Sequence, residues 1–335
     1  MPDDIEFLTK PQIAVGLIDR ALNNGVTVRA WTFDALYGSN GPFLNALEER
    51  RQVFVGEVPS TFHGWVRKPP LTSRPNASRK QHCKRRGKGG RSRKRKMRVK
   101  AGHGVRQVRN LRKHSPAFRD QSWQKYRIKD THKGPEVWAI KWAVFWRKNA
   151  QGLPGRRHTL IVARNVLTGE IKYFVSNRVP GEWLPDNTRA SLRCLLRVAF
   201  GRWSVESVFR ETKEELGLDH YECRGWRCVH RHFYLTQLSH LFCARVRQAF
   251  DTSEPEQNPT SGRLSLEQVR SAMNVWLSSS NLKPASRREA YELELEKHEY
   301  HQRRNQQART SHTKTRLERL AALGIDPDRI KSCIT

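Results

Sequence analysis

The sequence predicts a mixed α/β fold: a core of alternating elements, an inserted antiparallel β-sheet and a helical C-terminal extension. Three patterns predict it. Residues 11–58 read as helix, strand, helix and strand in turn, two β-rich stretches fill residues 136–177, and helical periodicity dominates from residue 187 to 323.

Taking the elements in order, PQIAVGLIDRALNN (11–24) sets Ile13, Ala14, Leu17, Ile18 and Leu22 at helical spacing, with Pro11 near the start and Gly25 past the end. VTVRAWTF (26–33) reads as a strand that ends at Asp34. After DALYGSNG comes a second helix, PFLNALEER (42–50), and a second strand, QVFVGEV (52–58). Such a run predicts a partly parallel sheet. From Val58 to Arg119 there is no acidic residue, and 13 of the 22 residues from Arg79 to Lys100 are Lys or Arg. Self-repulsion predicts an extended, disordered loop over 59–120 until an anion binds. EVWAIKWAVFWRK (136–148) and HTLIVARNVLTGEIKYFVSN (158–177) then read as strands, with turns at NAQGLPG and NVLTGE.

Helix returns over about 187–217, with a break near Gly201, and again over 231–250. DTSEPEQNPTSG (251–262) has a linker's composition. LSLEQVRSAMNVWL and the charged run 285–323 read as helices, the latter as an exposed arm. The chain is thereby parsed into a first core part (1–58), a basic loop (59–120), a β-rich insertion (121–186), a second core part (187–250), and a linker with a helical arm (251–335).

Composition narrows the partners. Sixty-three Lys and Arg against 32 Asp and Glu give a formal net charge of +31, while 37% hydrophobic residues and ten Trp argue for a folded core. A folded chain so basic calls for a polyanion, and nucleic acid is the one expected. No apolar run reaches the roughly 20 residues of a membrane span. MPDDIEFLTKPQIAV lacks the features of a secretory signal, and six scattered Cys read as reduced thiols. The expected location is the cytoplasm or nucleoid.

Two places carry candidate chemistry. Asp34, at the carboxyl end of a strand, faces the crevice where α/β sheets bind ligands, and is equally placed to cap a turn or helix. In RWSVESVFRETKEELGL (202–218), Arg202 and Glu206 lie roughly 40° apart around a helix, with Lys213 between them. They can hold a carboxylate beside phosphates, or form an ordinary i, i+4 pair. His220, Cys223, Cys228 and His230 are loosely zinc-like but lack a second ligand pair at finger spacing. Within the basic block, Lys84, Arg85, Arg86, Arg93, Lys94, Arg95 and Lys96 have no interleaved aromatic and suit phosphate tracking rather than base stacking.

WTFDALYGSNGPFLNALEERRQVFVGEVPS, RWSVESVFRETKEELGLDHYECRGW and RHFYLTQLSHLFCARVR together resemble the DDE transposases of bacterial insertion sequences, over about residues 7–250. That family has a ribonuclease H-like core with a β-rich insertion between its second Asp and its Glu. Its pattern Tyr, two residues, Arg, three residues, Glu, six residues, Lys falls on Arg202, Glu206 and Lys213, with Ala199 at the Tyr position and Phe200 next to it. The resemblance implies that Asp34 and Glu206 are catalytic metal ligands in a two-Mg²⁺ site, with Mn²⁺ a possible substitute, for DNA strand cleavage and transfer. It further implies that Arg202, Lys213 and Tyr37 of the Tyr-Gly loop contact DNA, that the partner is double-stranded transposon-end DNA, and that the protein is a homodimer.

The family's first Asp lies on a strand upstream of the helix that matches residues 11–24. The expectation is therefore a partial core that lacks its opening strands and is inactive alone. The alternative is a non-catalytic, basic DNA-binding fragment that modulates full-length transposase. An RNA-binding, ribosome-associated role rests on charge alone, and the Asp34 and Glu206 motifs speak against it.

Overall fold

The structure, a computed structural model, describes residues 7–73, 97–184, 186–253 and 264–334. The described chain divides into two compact units. One runs to Arg202 and resumes at Arg316, and the other is Trp203–Thr315.

The first unit opens with α1 (Lys10–Asn23), one-turn α2 (Ala35–Gly38), α3 (Gly41–Glu49) and β1 (Val55–Val58). α1 starts at a Thr9 capping box with Pro at its first turn, and Asn40 caps α3 on the Phe43 N–H. Of the strand expected over 26–33, only its end pairs. The Trp31 N–H reaches the Val53 carbonyl, and the N–H groups of Val55 and Glu57 reach the carbonyls of Trp31 and Phe33. This short ladder is parallel. Ile18, Phe33, Phe43, Leu44, Leu47 and Phe54 close over it as one apolar cluster. Arg50, just after α3, holds Asp19 of α1 at 2.5 and 2.7 Å. That contact draws the Asp19 carboxyl below its usual range.

The stretch expected as a basic loop is in part folded. β2 (His63–Trp65), β3 (Leu71–Thr72), β4 (Arg98–Val99), β5 (Arg106–Gln107), α4 (Val108–His114) and α5 (Pro116–Arg119) all lie within it. Val108, Leu111 and Phe118 are buried at 0, 4 and 0% exposure. Three apolar anchors outweigh the surrounding charge, because the Lys and Arg side chains keep their heads in solvent. The densest part of the block, including Lys84, Arg85, Arg86, Arg93, Lys94, Arg95 and Lys96, lies outside the described residues.

The insertion is an antiparallel meander of β6 (Gln124–Thr131), β7 (Gly134–Lys148), β8 (Pro154–Asn165) and β9 (Ile171–Ser176). It does not stand apart from the core. β9 pairs antiparallel with β1, giving an eight-stranded sheet in the order β1-β9-β8-β7-β2-β5, with β6 also on β7. Both faces are buried, which explains the unbroken apolar run in β8. Ile161 and Ala163 point into one cluster with Phe174 and Leu195, Leu196 and Ala199 of α6 (Leu192–Gly201). Leu160 and Val162 point into another with Val108, Leu111 and Phe118.

The charged C-terminal run does not end as an arm. Leu320 and Ile325 pack on Val137, and β10 (Lys331–Ser332) pairs parallel with β6, burying Cys333 in the α6-side cluster.

The second unit holds α7 (Trp203–Leu216), α8 (Trp226–Ser253), α9 (Leu266–Ser279) and α10 (Pro284–Ala322) up to Thr315. Cys243, Leu266 and Val269 form its small buried cluster, and Arg270 pairs with Glu215 at 3.4 Å. α10 is polar all round, with i, i+4 pairs such as Arg288–Glu292 and Glu299–Arg303.

Candidate functional site

Asp34 follows Phe33, whose carbonyl accepts the Glu57 N–H, so it stands at the carboxyl end of the parallel ladder. Its Oδ1 accepts the N–H groups of Leu36 at 3.0 Å and Tyr37 at 3.4 Å, capping α2. The capping role and the strand-end position therefore coexist, with Oδ2 left outside the cap. The Tyr-Gly loop can lie this close to β1 only because residue 38 has no side chain. A Cβ there would sit 1.9 Å from the Glu57 carbonyl oxygen. Tyr37 packs its ring on Phe43 at 5.4 Å, within the α1–α3 cluster.

Arg202 follows α6 with helical dihedrals, and α7 opens at the next residue. Glu206 lies in the first turn of α7 and Lys213 in its last, where each complements the helix dipole. Arg202 belongs to the sheet unit, Glu206 and Lys213 to the helical unit, so Asp34 and Glu206 fall in different units. The family's Tyr position, Ala199, is buried at 4% exposure, and Phe200 stacks on Trp138 and Phe174 at 5.0 and 5.3 Å. Both residues serve the core beneath α6.

The zinc-like residues have other partners. His220 lies 3.8 Å from Asp219, His230 stacks on Trp226 at 4.1 Å, and the His232 Nε2 lies 2.8 Å from the Gly217 carbonyl. Burial, the neighbouring Cys228 and a hydrogen bond with it push the Cys223 thiol up. Among the described residues, no three His, Cys, Asp or Glu side chains converge as a metal site.

Sequence reasoning missed a buried polar network behind the core. Glu48 on α3, 8% exposed, accepts from Arg147 of β7 at 3.3 Å and meets the Nε2 of His158 of β8 at 2.8 Å. The other nitrogen of His158 lies 2.8 Å from the Arg156 carbonyl. Arg147 also bonds Asn45 and the Gly41 carbonyl. Burial opposes the charge on Glu48, but the hydrogen bond with His158 and the nearby Arg147 and Arg156 outweigh it, leaving its carboxyl below the usual range. The partners lie about a hundred positions apart in sequence, so no local pattern announces them.

Residues 1–135 match the family model of the DDE superfamily endonucleases. Over that segment the chain is similar to the transposase-type DDE endonucleases. The match spans α1, the Asp34 loop, α3, β1 and the folded parts of the basic stretch. A search of curated proteins returned no match. DDE endonucleases act on DNA and use divalent metal ions. Carboxylate oxygens are the right donors for such ions, and Asp34 offers one beyond its cap. One carboxylate does not make a metal site, and the described residues do not assemble one around it. Nor is any described helix long and apolar enough to cross a membrane.

Proposed function

We propose that this chain is an insertion-sequence transposase of the DDE type that grips double-stranded transposon-end DNA, and that it does so alone without cutting it. The observation that carries the reading is Asp34. It lies at the carboxyl end of a strand, inside the matched segment, in a chain of net charge +31, which supports reading it as a catalytic carboxylate. Asp34 and Glu206 are the carboxylates that would hold Mg²⁺, or Mn²⁺ in its place. Arg202 and Lys213 would steady the DNA, and the Lys and Arg of residues 84–96 would follow its backbone. Oδ1 of Asp34 is committed to the α2 cap, so its Oδ2 would be the oxygen offered to a metal ion. The site is expected at the nucleoid and in a homodimer.

The test is a duplex carrying the element's ends, incubated with the purified chain, with and without Mg²⁺. Salt-sensitive binding without strand scission is expected. Metal-dependent cleavage abolished by Asp34→Asn and Glu206→Gln would make the chain a working enzyme, and absence of DNA binding would remove the reading altogether. The non-catalytic modulator differs only in one respect: it would lower the activity of a full-length transposase when mixed with it.

A further inference from the structure

In the sheet unit, the end of α3, the start of β8 and the segment after β9 surround a pocket of about 410 Å³. Arg51, Arg156, Arg157 and Arg178 line it, with Glu48, Glu182 and Asn177. Four guanidinium groups thus face two carboxylates, and both carboxylates are occupied. Glu182 holds Arg157 and accepts the Val179 N–H at 2.8 Å. Glu48 is committed to His158 and Arg147, and reaches Arg156 only at 3.7 Å. Asn177 is used as scaffold, accepting the Phe54 N–H and donating to the Gln52 carbonyl.

Arg156 has only that long contact, and Arg51 and Arg178 have less. Arg178 Nε is buried without a hydrogen-bond partner. The Arg51 side chain makes no ion pair or hydrogen bond among the described residues. A buried donor left unpaired is costly, and it marks the Arg178 guanidinium as having no internal acceptor at that nitrogen.

The backbone adds an independent sign. Arg51 has φ +56°, and it terminates α3 in a Schellman motif: its N–H reaches the Glu48 carbonyl and the Gln52 N–H reaches that of Leu47. Glycine is the usual residue in that conformation. An arginine held there, beside three others and facing a pocket, is strain located where it presents a charge.

We propose that this pocket receives a backbone phosphate of duplex DNA, with Arg51, Arg156 and Arg178 as donors. The inference rests on the reading of the chain as a DNA-binding protein. Guanidinium forks match phosphate oxygens in pairs, and the Glu48 network beneath keeps the floor rigid.

The experiment is fluorescence anisotropy of a labelled duplex with the full chain, titrated at several NaCl concentrations. Wild type is compared with Arg51→Gly, Arg156→Ala and, as a control on an exposed helix position of the other unit, Arg303→Ala. Arg51→Gly relieves the strained position, so its melting temperature should hold or rise and a loss of binding cannot be blamed on unfolding. Each pocket variant should weaken binding, and loss of the phosphate contact should flatten the log Kd–log[salt] slope by about 1, with Arg303→Ala unchanged. Unchanged slopes in a chain that still binds DNA would overturn the pocket and leave the DNA reading standing. If the wild type binds no DNA, both fall. Inorganic phosphate binding that is lost in the variants while DNA affinity is unaffected would assign a free anion instead and overturn the DNA assignment.

Discussion

Replacing Glu48 with alanine should destabilise the sheet unit more than any other single carboxylate removal described. Glu48 is 8% exposed, and it faces Arg147 at 5% and His158 at 0%. Removing it leaves the Arg147 guanidinium with Asn45 and the Gly41 carbonyl, while its Nε already has no partner. Breaking one side of a buried ion pair costs about 3–5 kcal/mol. For a unit of about 200 residues, each kcal/mol moves the melting point by roughly 2–4 °C, so a fall of about 6–20 °C is expected. Glu48→Gln keeps the shape and one acceptor but loses the charge, and should cost about 1.5–3 kcal/mol.

The pH dependence provides a second reading of the same carboxylate. Its folded-state pKa is lowered from 4.5, so the unfolded chain takes up the proton first as pH falls. The stability it contributes is fully present above that value and is lost as pH drops through the folded-state pKa. The gap between wild type and Glu48→Gln should therefore be constant near neutrality and narrow below pH 4.5. Denaturant titrations of both variants from neutral to acid pH measure it. A Glu48→Ala cost under about 1 kcal/mol would show that the network does not hold the α3–sheet junction, and would refute the reasoning.

Three further outcomes follow from local geometry. Arg51→Gly should gain about 0.5–1 kcal/mol by chemical denaturation, since a left-handed arginine costs about 1–2 kcal/mol and glycine's extra unfolded-state freedom returns part of it. Gly38→Ala should lose at least about 1–3 kcal/mol and disturb the α2 cap, because the new methyl meets the Glu57 backbone at 1.9 Å; a melting curve matching wild type would contradict this. Burial pushes the Cys333 thiol up to about 11 despite the nearby Arg193 and Arg197, so a thiol reagent at neutral pH should label exposed Cys228 promptly and reach Cys333 only on unfolding.

Much of the fold was legible where one pattern dominated. Ile13 to Leu22 marks α1 by spacing, and the apolar run of β8 marks a strand buried on both faces. It was illegible where charge masked a few anchors, as with Val108, Leu111 and Phe118 inside the basic stretch. β10 was missed because two residues carry no periodicity, and their pairing with β6 depends on Cys333 and Ile325 finding cover elsewhere. At the site, Asp34 could be placed because a strand end and a turn signal coincide there. The Glu48 network could not, since its members meet only after α3, β7 and β8 are assembled. Arg51 did leave one local trace: ALEERRQV ends a helix with no glycine to turn on.

The pairing of β10 with β6 also bears on how the molecule is made. The sheet that begins near residue 55 is finished by Lys331 and Ser332, so its last strand leaves the ribosome after the whole of Trp203–Thr315 has been synthesised. Topologically the helical unit is a guest, entered and left from one host. During synthesis the host must wait with the β6 edge unpaired and the α6-side cluster lacking Cys333. An open edge of this kind is a template for other strands. Emergence of Lys331 and Ser332, rather than emergence of β6 to β9, is then the moment at which this edge can close, and ribosome-bound chains stalled at residue 315 should be more protease-sensitive at β6 than chains that include β10.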